Sequence, residues 1–175
     1  MLYPVPMEII EGVRLIDLEV FADGRGAFTE SYRREWFEGG RDIVQVNLSR
    51  SNMGVLRGMH FHRRQADYWC IVLGRAFVAL HDLRLASPTT GVTMTLTLDE
   101  GTPQGLFIPP GVAHGFYAET DVVLQYMVDE YFDGSDEYGI AWDDTSLGID
   151  WPGIEPVLSD RDRSNPPLTE VVRPP

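Results

Sequence analysis

Gly54-Val55-Leu56-Arg57-Gly58-Met59-His60-Phe61-His62, then the polar loop Arg63-Arg64-Gln65-Ala66-Asp67, then the apolar run from Tyr68 to Leu73 closed by Gly74, is the stretch that decides the fold. It places an arginine and two histidines on one short strand and follows them with a second, apolar strand. Successive side chains in a strand point to opposite faces, so strict alternation sets His60 and His62 on one face and Arg57 on the other. Two histidines side by side on a sheet face leave three readings open: a metal site, a proton-transfer site, or a structural coincidence.

Outward from this stretch the chain is a series of short strand-like runs divided by turn residues. On the N-terminal side, Val13 to Val20 alternates, Ala22-Asp23-Gly24-Arg25-Gly26 is a turn, and Ala27 to Tyr32 returns. Arg33 to Glu38 reads as a helical turn stopped by Gly39-Gly40. Ile43 to Ser49 sets Gln45, Asn47 and Ser49 against Val44, Val46 and Leu48. A strand with so polar a face looks towards water or a wet cavity.

On the C-terminal side come Ala76 to Leu83, Val92 to Leu98, Leu106 to Ile108, Val112 to Glu119 and Val122 to Glu130. From Phe132 the chain is loop-rich, and a tail from about residue 164 holds too many prolines for regular structure. Many short strands with almost no helix predict an all-β sandwich or barrel, as one domain over residues 1–175.

The 175 residues carry a net charge of −13, which argues against nucleic acid or an anionic membrane as a general partner. All 14 basic residues are arginine, and arginine forks suit phosphate or carboxylate. The single Cys70 lies in an apolar run and reads as a buried structural thiol. Met1 to Pro6 lacks the basic start and long apolar run of a signal peptide, and no run reaches a membrane span, so a soluble cytoplasmic protein is expected.

Gly54, His60-x-His62, Asp67 and Gly74 follow the spacing of the first cupin motif, and Pro109-x-Gly111-x-x-His114 follows part of the second. The resemblance implies a cupin-like jelly-roll β-barrel, a double-stranded β-helix. A closer one runs along nearly the whole chain. Asp23-x-Arg25-Gly26-x-Phe28-x-Glu30, Gln45-x-Asn47-x-Ser49, Gly54 to Phe61 and Asp82-Leu83-Arg84 occur in order. Ile108 to Phe116, Gly139 to Asp144, Ile149-Asp150-Trp151-Pro152 and Leu158-Ser159-Asp160-Arg161-Asp162 follow. With these segments the chain resembles the dTDP-4-dehydrorhamnose 3,5-epimerase family.

That resemblance implies a homodimeric, cofactor-free epimerase of a dTDP-linked 4-keto-6-deoxyhexose, with N-terminal residues reaching the partner's site. His60 would be the general base, Asp162 would hold its imidazole, and Tyr126 would return a proton from the opposite face. Arg25, Phe28, Glu30, Gln45, Asn47, Arg57, His62, His114, Tyr131, Glu137 and Trp142 would contact the substrate. The chemistry agrees independently. Protons on the carbons flanking a ketone are acidic, and a neutral imidazole is well matched to removing them near pH 7.

Two positions depart from the family pattern. His62 stands where Gln is usual, and Asp67 replaces a lysine that would stabilise the enolate. An anion there would oppose a developing oxyanion by on the order of a few kcal/mol. The same two changes restore a metal-cupin set of His60, His62, Asp67 and His114, which suits Fe, Mn, Ni or Zn. Pairing of Asp67 with His62 or Arg64 is the third reading. The expectation carried forward is an epimerase with no metal, the metal-dependent cupin and a non-catalytic nucleotide-sugar binder being the alternatives.

Overall fold

The computed structural model describes residues 9–36, 41–153 and 155–175. The expected N-terminal reach into a partner and the Gly39-Gly40 helix stop fall outside those residues. Among them, the structure is nearly all β. The strands are β1 (Arg14–Asp17), β2 (Val20–Asp23), β3 (Gly26–Thr29), β4 (Gln45–Ser51), β5 (Leu56–Phe61) and β6 (Asp67–Leu73). They continue with β7 (Arg75–Asp82), β8 (Thr93–Asp99), β9 (Gln104–Ile108), β10 (Val112–Ala118), β11 (Val122–Val128) and β12 (Tyr138–Gly139). Among the described residues the one α-helical turn is α1 (Asp160–Arg163).

Two five-stranded antiparallel sheets face each other, in the orders β1-β9-β6-β11-β4 and β12-β5-β10-β7-β8, and β2-β3 forms a separate hairpin. Neighbours in space are rarely neighbours in sequence, which is the jelly-roll barrel that the cupin resemblance implied. Alternation fills the interior. Trp69, Ile71, Leu106 and Leu124 of the first sheet meet Val78, Leu80, Met94, Val112 and Phe116 of the second. The opposite face of the second sheet buries Met59, Phe61, Ala79 and Ala113 under Ile140, Leu147 and Leu168 of the C-terminal segment.

That segment corrects an expectation. The proline-rich tail was expected to be irregular, yet Leu168–Glu170 forms a 3-10 turn, Leu168 is buried, and the Leu85 amide donates to the Pro174 carbonyl at 3.1 Å. Prolines bar a strand ladder, but they leave carbonyls free to accept and rings free to pack.

A second correction bears on the site. On β10, His114 pairs with His60 and Phe116 with Arg57, so Gly58 and Met59 together oppose the single Gly115. This is a β-bulge, and one extra residue reverses the side-chain parity beyond it. Arg57 therefore lies on the same face as His60, against strict alternation, and reaches across the barrel to β4. There its Nε donates to Ser51 Oγ at 2.9 Å. Only glycine serves at position 58: φ is +130°, and a Cβ would lie 2.6 Å from the Gly115 Cα.

Candidate active site

One end of the barrel interior is polar. From the second sheet, β5 supplies Arg57 and His60, the residue just after it is His62, and β10 supplies His114. From the facing sheet come Asp67 of β6, Tyr126 of β11, and Asn47 and Gln45 of β4. Asn47, Tyr126 and Trp69 lie abreast in register across three strands. The polar face of β4, expected to line water or a wet cavity, is turned to this interior, and Val46 and Leu48 are turned out.

His60 and Asp162 are joined directly, Nε2 to Oδ1. Asp162 is 4% exposed and sits in α1, where the cap residue Ser159 fixes it twice. Ser159 Oγ donates to Asp162 Oδ2 at 2.8 Å and accepts from the Asp162 amide at 3.1 Å. Burial alone would raise the Asp162 pKa. The hydrogen bond and charge of His60, then Ser159 and Arg161, outweigh it and hold the carboxylate below its usual range. An ionised carboxylate on Nε2 leaves Nδ1 as the nitrogen able to take up a proton. Asp160, the competing aspartate, does not share this contact; its carbonyl accepts from Ser164.

His114 is buried, its ring edge-on to Trp69 at 5.2 Å between centroids. Burial lowers its pKa to about 4. Its Nδ1 donates to the Val112 carbonyl at 3.0 Å. His62 is built alike, with Nδ1 donating to the Asp136 carbonyl at 2.9 Å. Its Nε2 lies 3.7 Å from Asp67 Oδ2, and Glu137 Oε1 stands 3.8 Å from its Nδ1. Arg64, the other expected partner of Asp67, instead pairs with Asp133 and Asp136.

Tyr126 is half-buried, and its phenol pKa is raised by desolvation and then by the charges of Asp67 and Glu137, with Arg57 opposing. It stays protonated at neutral pH. It also stands on the sheet opposite His60, so a molecule between the sheets meets the two from opposite sides.

Not every expected residue joins this cluster. Arg25 pairs with Asp23 on the outlying hairpin, Phe28 is exposed beside it, and Glu30 pairs with Arg33. Tyr131 is exposed. Glu137 is near His62 and bound to Arg161, while Trp142 is partly buried, its carbonyl accepting from the Trp151 indole at 2.9 Å. Sequence reasoning passed over Ser159, Ser51 and Asp136. Ser159 had a legible signal, because Ser-x-x-Asp is the spacing of a capping box. Asp136 had none: its carboxylate accepts from the amides of Arg63 and Arg64, more than seventy residues away in sequence.

A jelly-roll barrel with a histidine–carboxylate pair and a facing tyrosine in its interior is a cupin-like frame suited to proton transfer at carbon. The family model described as dTDP-4-dehydrorhamnose 3,5-epimerase matches residues 8–170. The enzyme of that description from Methanothermobacter thermautotrophicus is 38% identical over 171 residues, covering 92% of each chain. A Neisseria gonorrhoeae relative of the same description is 37% identical, and the chain spans only 51% of its length. Among solved structures, the Legionella pneumophila dTDP-6-deoxy-D-glucose-3,5-epimerase, in complex with dTDP-4-keto-L-rhamnose, superposes with a TM-score of 0.92. It shares 30% identity and is covered over 98% of its chain, with 99% of the present one matched. A 3'-monoepimerase from Streptomyces bikiniensis, bound to dTDP-quinovose, gives 0.87 at 32% identity, over 96% of this chain and 88% of its own. The chain belongs to the dTDP-4-dehydrorhamnose 3,5-epimerase family, a family of isomerases.

Proposed function

We propose that the protein epimerises a dTDP-linked 4-keto-6-deoxyhexose at C3, C5 or both, in deoxysugar biosynthesis. The observation that carries this reading is the placement of the carboxylate-held His60 opposite the protonated Tyr126. His60 Nδ1 takes the proton from a carbon beside the C4 ketone. The C–H electron pair becomes the C–C double bond of the enolate, and the carbonyl pair moves onto oxygen. Asp162 stabilises the resulting imidazolium and fixes the tautomer that starts the cycle. Tyr126 gives its proton to the opposite face of the carbon, and exchange with solvent resets both groups. General acid–base assistance of this kind is worth about 10²–10⁴-fold.

Arg57, Asn47 and Gln45 line the same interior and hold the substrate's polar groups. Membership supports this activity, because both 3,5-epimerases and a 3'-monoepimerase are close in structure. The protein acts as a cytoplasmic homodimer. Val46, Leu48 and Val72 are exposed on the first sheet, an apolar surface suited to a second copy. The hairpin with Arg25 and Phe28 then serves the partner's site, which accounts for its standing apart from both five-stranded sheets. Light scattering checks the dimer: Leu48→Asp should shift the mass towards the monomer.

The activity is tested by incubation with dTDP-4-keto-6-deoxyglucose in D₂O. Deuterium at both C3 and C5 defines the full epimerase, and deuterium at C3 alone defines a monoepimerase. No incorporation, with substrate bound, leaves a nucleotide-sugar binder and overturns the proposal.

A further inference from the structure

His62, Asp67 and His114 present one ring nitrogen each and a carboxylate oxygen, all within 4.8 Å of one another. We propose that these three residues bind one divalent transition-metal ion, and that this ion polarises the substrate's C4 ketone. The inference rests on the epimerase reading for the ion's role, though not for its binding.

The imidazoles are prepared as ligands. Both Nδ1 atoms point at backbone carbonyls, at 2.9 Å for His62 and 3.0 Å for His114. A carbonyl only accepts, so each Nδ1 carries the proton and each Nε2 keeps a lone pair. Such outer hydrogen bonds are how metal-binding histidines are oriented. Trp69 packs edge-on to His114, and Gln65 Nε2 donates to Asp67 Oδ2 at 3.2 Å, so the carboxylate is held as well.

The charge is unmatched without a cation. Asp67 is 4% exposed, and among the described residues its only ion-pair contact is the 3.7 Å approach of His62. Arg64 is engaged by Asp133 and Asp136. A buried carboxylate with no close cationic partner is costly, and a divalent ion between it and two imidazoles removes that cost. Donors about 2.0–2.2 Å from a metal stand roughly 3–3.5 Å apart, so the set closes with side-chain shifts of about 1 Å or less. Two imidazoles and one carboxylate suit Fe²⁺, Mn²⁺, Ni²⁺ or Zn²⁺ and leave coordination positions open for a substrate oxygen.

His60 is not in the set. The sequence offered four ligands, which would have set metal binding against the base. The fold divides them: Asp162 holds His60, and the other three residues form a separate group. Base and Lewis acid can therefore act together, the proton leaving to His60 and the C4 oxygen's charge falling on the metal.

Co²⁺ is titrated into metal-stripped protein and followed by its visible d–d absorption, alongside metal analysis of the protein as purified. One equivalent is expected to bind with a spectrum showing nitrogen ligation. His60→Asn should keep that spectrum, and Asp67→Asn should lose it. The double variant His62→Gln/Asp67→Lys, which removes two ligands and supplies a fixed cation in their place, should bind no Co²⁺ and exchange deuterium without metal. Absence of stoichiometric binding, or binding indifferent to Asp67→Asn in folded protein, overturns the site. For its role, stripping the wild type should slow deuterium exchange roughly 10²-fold, and metal should restore it. Stripped protein that exchanges at full rate overturns the Lewis-acid assignment. No exchange in any metal state, with Co²⁺ bound, overturns the epimerase reading instead.

Discussion

His60 meets Asp162 through Nε2, and a helix cap holds that carboxylate from behind. Two residues on, His62 turns Nδ1 to a backbone carbonyl and leaves Asp67 3.7 Å away. Both are histidine–carboxylate pairs in one barrel interior, but their far nitrogens differ. A carboxylate on one nitrogen makes the other a better base and stabilises the protonated ring. A carbonyl on one nitrogen fixes the neutral tautomer and aims a lone pair. Partner chemistry, rather than residue type, divides proton transfer from ligation.

The widest break in this comparison is His60→Asn. It removes the base and leaves His62, Asp67 and His114 untouched, so deuterium exchange into substrate should fall about 10³–10⁴-fold in folded protein. Retained exchange would transfer the base role to another group. Next is Gly58→Ala, where the Cβ would press on Gly115 at a positive φ. A loss of about 3 kcal/mol is expected by chemical denaturation, from strain plus overpacking. Because the bulge also carries Arg57 to the His60 face, surviving folded protein should show raised KM.

Asp162→Asn should cost roughly 10² in kcat with little change in KM, because an amide neither fixes the tautomer nor balances the imidazolium. If Asp162 only braced the fold, kcat of the folded variant would not fall.

The parts of this arrangement differed in how legible they were. The facing sheets followed from period-two runs such as Thr93–Asp99 and the polar-faced Gln45–Ser51, because alternation is local. His60 was legible through its motif, and Asp162 through resemblance alone, as 102 residues separate the pair. The bulge was not legible. Gly58 and Gly115 are both visible in the sequence, but only strand pairing sets two residues against one. The division of the four candidate ligands into His60, held by Asp162, and a separate trio was equally hidden, since spacing does not say which nitrogen meets which oxygen. The proline-rich tail failed differently: propensity rules out a strand there, yet docking uses single backbone carbonyls, that of Pro174 accepting from the Leu85 amide and that of Val172 from Arg63.

The smallest expected effect sharpens the comparison from the stability side. The Asp162 pKa is lowered in the folded protein. A group whose folded pKa lies below its unfolded value contributes stability that is present above the unfolded pKa, about 3.9 for Asp, and is lost as pH falls through the folded one. Asp82 obeys the same sign. Burial would raise it, but hydrogen bonds from Arg84, Ser87 and Thr89 bring it down to about 2. Wild-type stability should therefore decline below about pH 4 from both carboxylates. Asp162→Asn should make that decline shallower and leave the Asp82 part in place. Ser159→Ala, which removes the hydroxyl that donates to the Asp162 carboxylate and accepts from its amide, should fall between the two. Denaturant midpoints from pH 2.5 to 6 would show it, and equal slopes in all three proteins would mean that the His60 pair adds nothing to the folded state beyond its chemistry.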